Sequence, residues 1–101
     1  MRSFLMFDLP TETVKQRKAY SKFVKFIKSK GFIMFQESVY MKLSINESAV
    51  EALTKAIKQG VPSEGFVAML TITEKQFNSI DLLLGEFKSD ILTTDDKVIE
   101  L

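Results

Sequence analysis

Asp8 is the first residue in the chain placed where chemistry could start. It ends the apolar run Phe4-Leu5-Met6-Phe7, and Leu9-Pro10 turns the chain immediately after it. A carboxylate at a strand end is costly if buried and conspicuous if exposed, so it requires a partner. The chain has no histidine and no cysteine. Ser-His-Asp and Cys-His nucleophilic catalysis are therefore excluded, as are disulfides and thiolate–zinc sites. A metal would have to be held by oxygens, which selects a hard cation such as Mg²⁺ or Ca²⁺. Asp8 is thus the candidate catalytic and metal-binding residue. A second reading of the same spacing is structural, with Asp8 accepting backbone N–H bonds in the turn before the next helix.

The second group is basic. Lys15, Lys18, Lys22 and Lys25 fall within an arc of roughly 80° at 100° per residue. Arg17, Lys28 and Lys30 add charge around them, and Glu12 is the one nearby acid. A solvated helix face usually mixes signs, whereas a one-sign stripe can follow a row of phosphates. Lys15, Arg17, Lys18, Lys22 and Lys25 are the candidate nucleic-acid-binding residues; a merely soluble basic surface is the competing reading. Such a stripe positions a duplex without reading its bases. The formal net charge of +1 hides a split. Residues 1–30 carry eight Lys/Arg against two acids, and residues 31–101 carry six Lys against eleven acids. One surface should attract polyanions and another should not.

The elements that must hold these residues follow from periodicity. Residues 2–8 read as a strand. A helix is expected over about 12–30, with Thr13 and Gln16 as a capping box, an apolar face of Ala19, Tyr20, Phe23, Val24 and Ile27, and Gly31 as its stop. Strands are expected over 32–37 and 38–45, joined by a bulge or tight hairpin. A second helix is expected over about 47–59, capped by Asn46 or Ser48, with Val50, Leu53, Ala56 and Ile57 inward. A fourth strand spans Phe66 to Thr73. Thr73 and Gln76 repeat the capping pattern and open a short helical turn. Ile80–Leu84 and Val98–Leu101 are further strand candidates, separated by an acidic, Thr-rich loop. The chain of 101 residues fits a single domain, with a C-terminal extension from about residue 79.

The order βαββαβ with extra C-terminal strands gives an α+β, ferredoxin-like sandwich. Two helices cover only one face of a four-stranded sheet. Yet Phe4-Leu5-Met6-Phe7 and Phe32-Ile33-Met34-Phe35 are apolar on both faces, where alternation marks a sheet that meets water on one side. A second copy of the chain is the simplest cover, so a homodimer through the sheet faces is expected. Two Asp8 carboxylates near a two-fold axis would repel unless a cation such as Mg²⁺ sat between them. Base-stacking RNA recognition is not expected, since Ser38-Val39-Tyr40-Met41-Lys42-Leu43 lacks the glycine that such a strand needs. The scattered glycines form no phosphate-cradling loop. No apolar run approaches the roughly 20 residues of a membrane span. The N-terminus lacks a signal-peptide pattern, and a cysteine-free chain suits a reducing cytoplasm.

Together these residues carry a resemblance. Met6-Phe7-Asp8-Leu9-Pro10-Thr11, then Arg17-Lys18-Ala19-Tyr20, Lys22-Phe23 and Lys25-Phe26, then Gly31-Phe32-Ile33-Met34 and Gln36-Glu37-Ser38-Val39-Tyr40 closely resemble the CRISPR-associated Cas-two (Cas2) family. Thr71-Ile72-Thr73-Glu74-Lys75-Gln76-Phe77 resembles its type II branch. The resemblance implies a ferredoxin-like homodimer that sits between dimers of the Cas-one integrase and takes part in inserting foreign double-stranded DNA into the CRISPR array. It also implies metal-dependent endoribonuclease or deoxyribonuclease activity, with Asp8 at the family's metal-binding aspartate and phosphate contacts among Lys15, Arg17, Lys18, Lys22 and Lys25. Three functions follow as expectations. The first is an architectural DNA-binding dimer in spacer acquisition. The second is a stand-alone Mg²⁺-dependent nuclease acting on RNA or DNA. The third is a non-catalytic ferredoxin-like regulatory dimer.

Overall fold

The computed structural model describes residues 1–88. The element order is β1 (Arg2–Asp8), α1 (Val14–Ser29), β2 (Ile33–Gln36), β3 (Val39–Leu43), α2 (Glu47–Lys58), β4 (Phe66–Ile72) and α3 (Glu74–Asn78). The four strands form one antiparallel sheet in the order β2-β3-β1-β4. This is the βαββαβ ferredoxin-like sandwich, with β1 at the centre and β4 at one edge.

Local signals set most boundaries. The Thr13 hydroxyl accepts from the Gln16 backbone N–H at 3.0 Å, and the Gln16 side chain accepts in return from the Thr13 N–H at 3.0 Å. This capping box satisfies N–H groups that the first turn of α1 would otherwise leave bare. At the other end, Gly31 adopts φ +97°. That conformation lets Phe32 N–H reach the Ile27 carbonyl and Gly31 N–H the Lys28 carbonyl, the paired bonds of a Schellman stop. Asn46, rather than Ser48, caps α2 through the Ala49 N–H. The β2–β3 turn contains the expected bulge, between Met34 and Gln36, and places Ser38 at φ 64°.

The two faces of the sheet pack differently. On the helix side, Leu5 and Phe7 of β1 meet Tyr40, Phe23 and Ile27 of α1, and Leu53 and Ile57 of α2. The Phe7 ring stands edge-on to Phe23 at 5.3 Å and stacks on Tyr40 at 5.8 Å. On the opposite side, Phe4 and Met41 are covered by Phe77 of α3, with Ile33, Phe35, Ile80 and Phe87 around them. A second copy is therefore not needed over this half of the face, because the chain folds its own residues 74–87 across it. The β1–β4 half stays open, with Met6, Leu70 and Phe66 exposed.

The expected strand at Ile80–Leu84 does not form. Among the described residues this segment pairs with no strand, and Leu83 and Leu84 are more than nine-tenths exposed. The expected Val98–Leu101 strand, and most of the acidic loop before it, lie outside the described residues.

Candidate functional site: an open carboxylate and a basic helix

Asp8 lies at the C-terminal end of β1, in register with Phe66 of β4. By strand alternation it shares the outer face with Phe4 and Met6, opposite the helices. Asp8 is exposed. Among the described residues its carboxylate makes no hydrogen bond and no ion pair, and Thr13 rather than Asp8 caps α1. The turn-capping reading of Asp8 is thereby corrected. The cause is geometric: the strand aims the carboxylate at the face away from the helix it was expected to cap.

The backbone beside Asp8 is held from the other strand. Gly65 has φ +105°, and a Cβ there would lie 2.8 Å from the Asp8 carbonyl oxygen. A side chain at 65 would push apart the two strand ends that carry Asp8 and Phe66. Among the described residues no three acidic side chains group closely enough to cage a metal. Asp8 thus does not belong to a ready-made acidic cage among the described residues. Its carboxylate fits Mg²⁺, which binds through one or two carboxylates and keeps several waters, but does not make a closed site.

The basic residues sit in the other layer. Lys15, Arg17, Lys18, Lys22 and Lys25 all lie on α1 and are exposed. Arg17, Lys18, Ser21, Lys22 and Lys25 line a shallow groove along the outer side of the helix, opposite its buried Phe23 and Ile27. Among the described residues no acidic side chain comes within 4.0 Å of any of these cations. Arg17 is also tied back, its guanidinium donating to the Thr11 and Glu12 carbonyls at 3.0 Å each. Lys15 departs from the stripe. It lines a small cleft with Leu9, Pro10 and Tyr20, beside the turn that follows Asp8. The five cations and Asp8 thus form no single constellation: the sheet separates the carboxylate's face from the groove of α1.

Arg2 is a residue that sequence reasoning misses. It is fully buried on the outer face; its Nε donates to both Glu74 carboxylate oxygens at 3.0 and 3.1 Å, and its guanidinium lies 3.8 Å from the Phe77 ring centre. It fastens α3 to the sheet by a charge-assisted hydrogen bond and a cation–π contact. Glu74 is 72 residues away in sequence, so no local pattern announces the pair. On the helix side, burial pushes the Tyr40 phenol above its ordinary value of 10.0, and the nearby Tyr20 adds to the shift. No helix among the described residues is long and apolar enough to cross a membrane.

Comparison with known proteins agrees with this architecture. A family model described as "CRISPR associated protein Cas2" matches residues 1–80. A "CRISPR-associated endoribonuclease Cas2" of Streptococcus mutans (strain UA159) is 48% identical over 101 residues, covering 100% of this chain and 93% of the relative. Proteins of the same name from Treponema denticola and Ligilactobacillus salivarius are 42% and 41% identical, each over 100% of both chains. A ferredoxin-like sheet with a carboxylate ending its first strand, matched over this length, makes the chain a member of the CRISPR-associated Cas2 family.

Proposed function

We propose that a dimer of this chain binds duplex DNA along its phosphate backbone through α1, and bridges units of the Cas-one integrase during spacer acquisition. The observation that carries the DNA reading is the exposed basic face of α1, where Lys18, Lys22 and Lys25 have no acidic partner within 4.0 Å among the described residues. At 1.5 Å per residue, Lys18 to Lys25 extend over about 10 Å, which matches a short run of phosphates on one strand. Dimerisation is supported by the open β1–β4 half of the outer face, where Met6 and Leu70 are 36% and 53% exposed, and by the exposed leucines at 82–84. Family membership supports the integrase as the partner.

The test is duplex binding as a function of salt. Removing one lysine–phosphate pairing should lower the log–log slope by roughly 0.9. Replacing Lys18 and Lys22 by Glu should weaken binding to every duplex sequence alike and abolish spacer acquisition. Unchanged acquisition by that double variant sinks the reading.

A second reading rests on Asp8 and on the relatives' name, endoribonuclease. In a dimer that brings two exposed Asp8 carboxylates together, both would hold Mg²⁺. The bound ion supplies Lewis-acid polarisation of a phosphodiester and activation of water. The chain's own part is to keep the carboxylate unpaired and the 8–66 strand ends in register, which Gly65 permits. Asp8→Ala should remove Mg²⁺-dependent cleavage; cleavage that persists in the purified variant rules this role out.

A further inference from the structure

The groove on the outer side of α1 has a neutral floor between charged walls. Arg17, Lys18, Lys22 and Lys25 are its long side chains, and the short side chain of Ser21 lies among them. Residues three and four apart on a helix are surface neighbours. Ser21 therefore has Arg17 and Lys18 on the turn before it and Lys25 on the turn after it. Ser21 is exposed, and among the described residues its hydroxyl makes no hydrogen bond. Ser29 of the same helix and Thr54 of α2 behave differently. Their hydroxyls donate to the Phe26 and Val50 carbonyls at 2.6 and 2.8 Å, the local bond by which such a side chain satisfies itself within a helix. Ser21 keeps its donor for a ligand. One wall of the groove is also held in advance, because the Arg17 Nη1 is tied to the Thr11 and Glu12 carbonyls. A hydroxyl ringed by cations suits an anionic oxygen: the cations attract it, and the hydroxyl adds a short, directed bond.

We infer that the Ser21 hydroxyl donates a hydrogen bond to a phosphate oxygen of the bound duplex and seats one nucleotide of the backbone on the floor of the groove. This inference rests on the reading of α1 as the duplex-binding surface, and it adds a contact of a different kind. A long lysine side chain follows a phosphate as it moves, and its contribution comes largely from released counterions, so it fades with salt. The Ser21 hydroxyl hangs on a single carbon, so the phosphate must come down to the helix to meet it, and the bond releases no ion. The lysines supply the attraction, and Ser21 fixes where the strand rests. A contact to phosphate reads no base, so its effect is the same for every duplex sequence.

Salt titration separates the two kinds of contact. Fluorescence anisotropy with a labelled random-sequence duplex DNA would be measured over a range of salt for wild type, Ser21→Ala, Ser21→Thr, Ser21→Val and Lys22→Ala. Ser21→Ala should weaken binding about fivefold at every salt concentration, the scale of one exposed hydrogen bond, and leave the log–log slope at the wild-type value. Alanine is the better helix former, so a frayed α1 does not account for that loss. Ser21→Thr keeps the hydroxyl and should bind as wild type does. Ser21→Val has nearly the same shape without the hydroxyl and should fall at least as far as Ser21→Ala. Lys22→Ala should instead flatten the slope by roughly 0.9. Wild-type affinity in Ser21→Ala, with a flattened slope in Lys22→Ala, overturns the Ser21 contact and leaves the duplex reading intact. If Ser21→Thr falls as far as Ser21→Val, bulk rather than the hydroxyl is responsible and the contact is again overturned. If neither Lys22→Ala nor Lys18→Glu/Lys22→Glu changes the slope, the duplex reading itself fails, and the Ser21 contact with it.

Discussion

The two faces of the sheet are closed by different means. On the helix face, Leu5 and Phe7 lie under two amphipathic helices that follow their strands closely in sequence, and the result is a continuous aromatic and aliphatic core. On the outer face the cover is partial: α3 and the segment to Phe87 lie over Phe4 and Met41, fastened by Arg2, and the β1–β4 half is left open with Asp8 at its end. The closed face carries stability. The open half carries the groups with unspent bonding capacity. Function is therefore expected where the chain leaves its own sheet unfinished, and on the solvent side of α1.

Variants on the two faces should separate accordingly. Phe23→Ala, on the helix face, should have the largest effect on stability. Removing a ring that is 2% exposed and wedged against Phe7 should cost about 3–5 kcal/mol in denaturant titration. A loss under about 1 kcal/mol would mean that this core is not closed as described. Glu74→Ala comes next. It removes the Glu74 carboxylate to which the fully buried Arg2 donates, but Glu74 is itself 43% exposed and water can partly replace it. The expected loss is about 2 kcal/mol, below the full penalty for breaking a buried pair. Hydrogen exchange should rise in α3 and hardly change in α1. Equal rises in both would erase the distinction between the faces.

Tyr40 gives the helix face a pH signature. Its phenol ionises less readily in the folded chain than in the unfolded one, so above about pH 10 the unfolded state binds fewer protons and folding stability falls with rising pH. Tyr40→Phe should shift alkaline unfolding to higher pH and leave stability near neutral pH little altered. An unmoved alkaline midpoint would contradict the buried placement. The smallest effect is predicted at Asp8. Asp8→Ala removes an exposed side chain without a partner, so stability should stay within about 0.5 kcal/mol of wild type. A large loss would reveal a structural role on the open half.

The contrast between the faces also bears on what residues alone reveal. β1, α1 with its Thr13–Gln16 box, the Gly31 stop and the order of elements along the chain follow from near-neighbour signals. The two-sided apolar character of Phe4 to Phe7 correctly indicates that the outer face needs cover. Which segment provides that cover is not legible, because it depends on Arg2 meeting Glu74 and Phe77 from the far end of the chain. Ile80–Leu84 reads as a strand by composition, but a strand needs a ladder, and composition does not show whether one is available. At the site, the position of Asp8 is legible from the strand and the proline turn. Its lack of a partner is not, since that is a fact about where neighbouring side chains point. Nor does helical spacing reveal that Lys15 turns toward the Leu9–Pro10 cleft while Lys18, Lys22 and Lys25 share a groove.

Whether α1 is a phosphate-tracking surface is decided by the salt dependence of binding to a random-sequence duplex, compared between wild type and Lys18→Glu/Lys22→Glu. Wild type should show a steep negative log–log slope that flattens by roughly 1.8 in the double variant, with no change in oligomeric mass. Identical slopes for the two proteins would show that the basic face of α1 does not carry the DNA, and would contradict the proposed role.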